Sequence, residues 1–455
     1  MKRVVLYLFI TQIVATLELY AIKKDKTTWI AGVAKVDITP VQPLLLAGYA
    51  SRTKPATGKL TLLWAKALFI EDAKGKKAIL ITSDLLGVPK AMSDRIRDRL
   101  KVAYGLSREQ ILFNTSHTHT GPVLEEALVD IYDVDSEQER RISEYSAMLE
   151  TKIVGLVGSA MKSAMPARIF SQNGVARFQV NRINNKEAGL AEQTELKGPN
   201  DFAVPVLKVV SAEENKLMAV SFGYACHPTV LSSNEWSGDY AGFAQSELEN
   251  VYPGTIAMFF QCTGADQNPL PRRTIGLAKQ YGKTLSAAVE RVLDEKMTEL
   301  DPLLSTNYAE IELKLAAPPS KEDLLKIKNE SSGYMVRWAS RMLDKIESHE
   351  GLPKSYKSYP IQVWKLGEQV IVSLGGEVVI EYSINIKKLL GPKTFVLGYS
   401  NDVMAYIPSL RILNEGGYEG ETSQMVYGLP SKWDPSIEDS ILKEVARLAE
   451  GIIYE

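Results

Sequence analysis

The sequence predicts an α/β fold: a single large domain of mixed β-sheets flanked by helices, with a metal site at strand ends. Three observations lead there. Short apolar runs such as Ala78-Ile79-Leu80-Ile81-Thr82 alternate along the chain with segments of helical periodicity such as Ala91 to Tyr104. No Ser-, Gly- or Pro-rich linker, low-complexity segment or internal repeat divides the 455 residues, so one compact domain is the economical reading. Three of the four histidines follow apolar runs at their C-terminal ends, where sites collect in α/β sheets.

Taken in order, Met1-Lys2-Arg3 precedes an apolar run from Val4 to Leu19 with Ala21 beyond it, and this reads as a secretory signal peptide over residues 1–21. The run is short for a membrane span and carries Gln12 and Glu18, so residues 22–455 are expected to be exported, to the periplasm or the medium. Ile30 to Pro40 alternates as a strand and stops at its proline. Leu60 to Glu71 and Lys77 to Ser83 pair across the turn Asp72 to Lys76, and Ala91 to Tyr104 is helical. Ile111-Leu112-Phe113 enters a strand that runs into His117-Thr118-His119. Glu137 to Ala164 is a helix, and strands follow over Ala167 to Val180, Ala203 to Val210 and Leu217 to Tyr224, the last delivering Cys226-His227.

Asp239 to Asn250 and Ile275 to Leu293 are helices on either side of a buried strand, Ile256 to Gln261, that leads into Cys262 to Pro269. Tyr308 to Leu315 is a strand, and Ser320 to Glu347 is one charged amphipathic helical stretch with His349 in its exposed tail. Tyr359 to Lys365 and Gln369 to Leu374 form a hairpin. Gly375-Gly376-Glu377 opens a helix over Val378 to Leu389, Thr394 to Gly398 is the last strand, and Ile437 to Ile453 the last helix.

Charge excludes some partners. Lys and Arg number 53 against 55 Asp and Glu, a net of −2, and the basic residues are dispersed, so no nucleic-acid footprint exists and contact with a membrane surface would be transient. Cys226 and Cys262 form one bridge or remain buried thiols. At 45% hydrophobic residues the chain can bury a large core.

On a strand, side chains two apart share a face, so His117 and His119 are expected to address one small volume. Imidazole is a good zinc donor, and the second histidine of such a pair serves as a ligand, a proton carrier or a partner to another ligand. The plain alternative is two polar residues hydrogen-bonded at a strand end. Glu377 is either a metal ligand or a carboxylate satisfying free amides in a helix's first turn. Asp84, just after a buried strand, is a site carboxylate or a turn residue.

The motifs resemble those of the neutral, non-lysosomal ceramidases, zinc amidases that cleave ceramide into sphingosine and a fatty acid. Thr115 to Pro122 is similar to that family's Thr-His-Thr-His-Ser-Gly-Pro segment, Gly32 to Pro40 to its opening, and Asn181-Arg182 to its Asn-Arg-Ser. His227 with Ser237-Gly238-Asp239, Gly376-Glu377, Asn401 to Tyr406, and Gly417-Tyr418-Glu419-Gly420 resemble further motifs in the same order. The resemblance implies one zinc per chain on His117, His227, Glu377 and Tyr406, with His119, Arg182 and Tyr418 around the substrate carbonyl. It implies an exported amidohydrolase acting on ceramide or a related N-acyl lipid, for which a deep, largely apolar pocket is expected. A different amide or ester, such as an N-acyl sugar or a peptide-like amide, is the alternative, as is a metal-binding relative without turnover. Two departures stand out. Asn268 occupies the place of the family's serine beside the zinc water; it can donate a hydrogen bond but cannot act as a nucleophile. The family's C-terminal immunoglobulin-like domain is expected to be missing.

Overall fold

Period-2 alternation sorts the strands into layers. In the computed structural model, which describes residues 28–453, nine strands form one mixed sheet: β1 (Trp29–Asp37), β2 (Trp64–Glu71), β3 (Lys77–Ser83), β4 (Ile111–Thr115), β5 (Met165–Val175), β6 (Ala203–Ser211), β7 (Leu217–Tyr224), β8 (Ile256–Gln261) and β9 (Thr298–Glu299). The order is β8-β7-β6-β5-β1-β2-β3-β4, with β9 beside β5, and only the β7–β8 and β3–β4 pairs are parallel. The expected signal peptide lies outside the described residues. A second sheet runs β10 (Leu304–Lys314), β11 (Ser355–Leu366), β12 (Gln369–Leu374) and β13 (Phe395–Leu397), with β12 and β13 parallel.

Each side chain's parity then chooses its neighbour. Phe69, Ile79, Ile81 and Phe113 pack outward on helices α1 (Lys90–Tyr104) and α2 (Ser136–Lys162). Val206, Phe222 and Phe259 likewise meet α3 (Asp239–Val251) and α4 (Ile275–Asp294). The alternate residues Leu68, Leu80, Leu112, Leu207 and Phe260 face inward onto Trp364, Ile371 and Leu397 of the second sheet. That sheet's far face, Ile361, Val363 and Val372, is covered by α7 (Ile380–Leu390) and α8 (Ile437–Ile453). The layers therefore run helix, sheet, sheet, helix, as two half-buried sheets require. The stretch predicted as one helix over 320–347 is two, α5 (Lys321–Glu330) and α6 (Tyr334–Glu347), because Gly333 takes φ +63 between them. Among the described residues no helix is long and apolar enough to cross a membrane.

The outer strands β4 and β8 meet through one side chain. Asn114 Oδ1 accepts the Gln261 N–H at 2.7 Å, and its Nδ2 reaches the carbonyls of Gln261 at 3.2 Å and Gly398 at 2.8 Å. The outer edge of β8 is otherwise satisfied by side chains: Glu249 takes the Ala257 N–H and Gln245 the Phe259 N–H. Asn114→Ala strands the buried N–H and carbonyl of Gln261, each costing about 1–3 kcal/mol, while Gly398 O keeps the Ser400 hydroxyl. It should lower the urea midpoint by an amount equivalent to roughly 3–5 kcal/mol; an unchanged midpoint would show that the edges do not depend on it.

Asp402 is buried, accepts from the Tyr356 hydroxyl, and has its pKa pushed up to about 7 by burial. Unfolded, it would titrate near 3.9. As pH rises from about 4 through 7 the unfolded chain loses this proton first, so the carboxyl's contribution to stability is present below that window and lost across it. Asp402→Asn should flatten this, removing on the order of a few kcal/mol from the difference between urea unfolding free energies at pH 5 and pH 8. An identical difference in the variant would refute the assignment.

Candidate metal centre

The histidines reach the site by a route other than the expected one. β4 ends at Thr115; the Ser116 and His117 amides bond to Ser83 O at 2.8 Å and Leu85 O at 2.9 Å, and His117 takes φ +61. The strand period therefore does not align His117 with His119. A tight left-handed turn does, bringing their Nε2 atoms to 3.2 Å. His227 follows β7, its amide bonded to Gln267 O at 2.9 Å. The loop after β8 fits against it only because Gly264 has no Cβ, which would lie 2.5 Å from Cys226 N.

Glu377 does not open a helix. It belongs to a two-residue strand, Glu377–Val378, paired in parallel with Tyr406–Ile407 so that Glu377 lies opposite Tyr406. Gly376, at φ +76, permits the approach, since a Cβ there would lie 2.7 Å from Ala405 O. α7 starts three residues later, at Ile380.

Within the cluster, Glu377 Oε2 lies 3.1 Å from His117 Nε2 and 3.0 Å from His227 Nε2. Tyr406 Oη is 3.5 Å from His227 Nε2 and receives Arg182 Nη2 at 3.0 Å. Arg182 also holds Glu419 at 2.7 Å and touches Asn268 Oδ1 at 3.4 Å. Tyr418 stands at the mouth, 44% exposed, its ring 5.3 Å from that of Tyr406. All eight residues singled out from the sequence thus converge.

The donor atoms point to a cation. His117 Nδ1 lies 2.6 Å from Leu86 O and His227 Nδ1 2.9 Å from Gly264 O, so these nitrogens carry the protons and each Nε2 presents a lone pair to a carboxylate oxygen. Burial drives the His227 pKa down to about 4 and lowers that of His119 further from its ordinary value, so the rings stay neutral. Acceptors facing acceptors at 3.0–3.1 Å are repulsive unless a positive ion lies among them. A tetrahedral metal with bonds near 2.0 Å holds its donors about 3.3 Å apart. The buried histidines, whose ligand atoms lie within 4.8 Å of one another, can hold such an ion. Tyr406 carries a phenol pushed upward by burial and opposed chiefly by Arg182.

Other expectations resolve plainly. Asp84 spends its carboxylate on the Trp64 N–H and on Gln245, as a structural acceptor. Cys226 and Cys262 are free buried thiols, and His349 is exposed. Tyr427, whose hydroxyl donates to Glu377 Oε1, and Tyr49, whose ring lies 4.8 Å from His119, carry no pattern that would have singled them out. Arg52 clamps the loop, donating to the carbonyls of Ala47, His119 and Ser233. A cavity of about 530 Å³ opens over Arg182, Asn268 and Tyr418, and its remaining lining mixes charged and polar residues such as Asn185, Glu187 and Arg272 with Ile183, Leu270 and Ile412, rather than being largely apolar. An apolar cavity of about 300 Å³, lined by Leu86, Val123, Leu124, Val403 and Met404, adjoins the cluster behind Tyr427.

Residues 29–269 match the family described as neutral/alkaline non-lysosomal ceramidase, N-terminal. Neutral ceramidase of Drosophila pseudoobscura pseudoobscura is 25% identical over 238 residues, 50% of this chain and 32% of that one. Neutral ceramidase of Pseudomonas aeruginosa is 26% identical over 261 residues, 54% of this chain and 38% of that one. The chain spans about a third of the length of these curated relatives. The crystal structure of the Pseudomonas aeruginosa enzyme superposes with a TM-score of 0.72 at 19% identity, covering 93% of this chain and 74% of that one. A structure described as ceramidase complexed with C2 gives 0.74 at 17% identity, covering 94% and 76%. With the family match extending over more than half of its residues, the chain belongs to the neutral/alkaline non-lysosomal ceramidases.

Proposed function

We propose that this protein is a zinc-dependent amidohydrolase that cleaves the N-acyl amide of ceramide or a related N-acyl lipid. The observation that carries the reading is the convergence of two imidazole nitrogens and a carboxylate oxygen on one buried point. His117, His227, Glu377 and Tyr406 would hold the ion. When bound, zinc supplies a Lewis acid that brings the pKa of a water to about 7 and polarises a carbonyl.

The remaining work belongs to the chain. Arg182 keeps Tyr406 in place and, being cationic, favours the phenolate a metal ligand requires. Asn268 and Tyr418 border the space above, where they can donate to the oxygen of a tetrahedral intermediate. His119, half-buried at the mouth with its Nδ1 enclosed and unpartnered, is placed to carry a proton to the leaving nitrogen. The apolar cavity behind Tyr427 suits an acyl chain. On this reading residues 22–455 form one hydrolase domain, and residues 1–21 direct it to the periplasm or the medium. A non-lipid amide or ester is the second reading, favoured by the charged residues among those that line the mouth.

The test is sphingosine release from a short-chain ceramide by the purified protein, before and after chelation and after zinc is restored. Chelator-sensitive, zinc-restored release is the expected result. A zinc-loaded protein that releases none would transfer the assignment to another amide or ester.

A further inference from the structure

Glu377 is fixed at two levels. Its backbone is set by the parallel pairing with Tyr406. That pairing leaves the carboxylate plane undetermined, because the last torsion of a glutamate side chain is broad and roughly two-fold. The two oxygens nevertheless have different partners: Oε2 lies 3.1 Å from His117 Nε2 and 3.0 Å from His227 Nε2, while Oε1 accepts the hydroxyl of Tyr427. With Oε1 held in this way, Oε2 is the oxygen that the imidazoles meet.

Tyr427 is in turn aimed from outside the cluster. It sits on a tight turn in which the N–H groups of Tyr427 and Leu429 bond to Gln424 O at 3.2 and 3.0 Å and that of Gly428 to Met425 O at 3.0 Å. Helix α6 crosses this turn and takes the two carbonyls that follow Tyr427: Arg341 donates Nη2 to Gly428 O at 3.0 Å, and the buried Trp338 donates Nε1 to Leu429 O at 2.9 Å. The Arg341 guanidinium is itself forked onto the buried Asp130, Nε to Oδ1 at 2.9 Å and Nη2 to Oδ2. One turn earlier, Arg337 donates to the Asp130 and Ile131 carbonyls at 2.9 and 2.8 Å. Gly428 has φ +76, and a Cβ on it would lie 2.4 Å from Arg341 Nη2, so glycine is what lets the guanidinium reach the carbonyl. Trp338, Ala339, Met342 and Leu343 of α6 pack with Leu324 of α5 and with Met425 of the turn. A bidentate guanidinium on a buried carboxylate makes a stiff joint, since loss of either partner leaves a buried charge unpaired.

We propose that Tyr427 is the positioning residue for Glu377, and that Arg341, anchored on Asp130, positions Tyr427, so that helix α6 sets the zinc affinity of the site from outside it. The inference rests on the reading of Glu377 as a metal ligand. Hydrogen bonds to the free oxygen of a ligating carboxylate orient it toward the ion, and such partners weigh on metal affinity nearly as the ligands do. The Tyr427 hydroxyl does the orienting, whereas its ring walls the apolar cavity. Tyr427→Phe therefore removes the first role and keeps the second.

The test is the zinc dissociation constant of the purified protein, measured by competition with a chromophoric chelator for the parent, Tyr427→Phe, Arg341→Gln and the double variant. Tyr427→Phe should raise it roughly 10–100-fold, the range found for hydrogen-bond partners of metal ligands. Arg341→Gln should raise it roughly 3–10-fold in the parent and add nothing to Tyr427→Phe, because residues that act through one another are not additive. A residue that only stabilised the fold would lower the urea midpoint of the metal-free protein and leave the dissociation constant where it was. Should Arg341→Gln not fold, Arg341→Lys makes the same comparison, since it keeps a cation beside Asp130 but cannot fork onto the carboxylate. An unchanged dissociation constant in Tyr427→Phe overturns the inference and leaves the metal site intact. Equal effects of the Arg341 substitution with and without the Tyr427 hydroxyl overturn the part assigned to α6. A parent protein that binds no zinc removes the metal site and the inference together.

Discussion

Glu377→Ala protein should leave purification with almost no zinc, where the parent should carry one ion per chain. The carboxylate lies between His117 and His227, 3.1 and 3.0 Å from their Nε2 atoms, and would supply negative charge to a cation held there. Its loss also orphans the Tyr427 hydroxyl that now donates to it. His227→Ala should behave alike, and kcat/KM should fall by roughly 10³-fold or more in both, equivalent to about 4 kcal/mol of transition-state stabilisation. Elemental analysis of the purified variants is the direct check. Because a ligand that binds only the folded state stabilises it, the parent's Tm should fall on chelation while the Tm of Glu377→Ala should not. A variant retaining a full complement of zinc would remove Glu377 from the coordination shell.

His119→Ala should separate metal from turnover. His119 Nε2 is only 3.2 Å from His117 Nε2, so distance alone would allow it to be a ligand. On the proposed assignment access separates the two roles: His119 is the partly exposed member of the cluster, against Tyr49, whereas Tyr406 is buried opposite Glu377 with Arg182 directed at its oxygen. The variant should keep its zinc and lose about 10²–10⁴ in kcat, the usual contribution of a positioned proton-transfer group. Zinc loss equal to that of His227→Ala would merge the two roles.

What could be read in advance followed from periodicity. Leu68 and Leu80 on one parity, Phe69 and Ile81 on the other, already separated the two faces that the second sheet and the helices cover. The eight residues that converge on the cluster were legible as motifs, yet two local conformations were not. A two-residue parallel pair such as Glu377–Val378 with Tyr406–Ile407 is too short to carry a period, and the glycines before it look like a helix start. The turn at His117 depends on amides bonding to Ser83 and Leu85 on a neighbouring strand, contacts no local pattern records. Tyr427 is 50 residues from the carboxylate it serves, and Arg273 lies 224 residues from Tyr49; only the fold makes them partners.

The side-chain closure at Asn114 bears on the protein's life among other chains. An exposed strand edge is a template onto which a foreign or sister strand can add, the first step toward domain exchange and fibrils. Here the N–H groups of Ala257, Phe259 and Gln261 along β8 are taken by Glu249, Gln245 and Asn114, and β4 is covered through the bonds of Phe113 to Asn401. A ladder capped by side chains bonds as a strand would but offers nothing for the next strand to copy. The ends of the large sheet are therefore sealed against strand addition without being joined into a barrel.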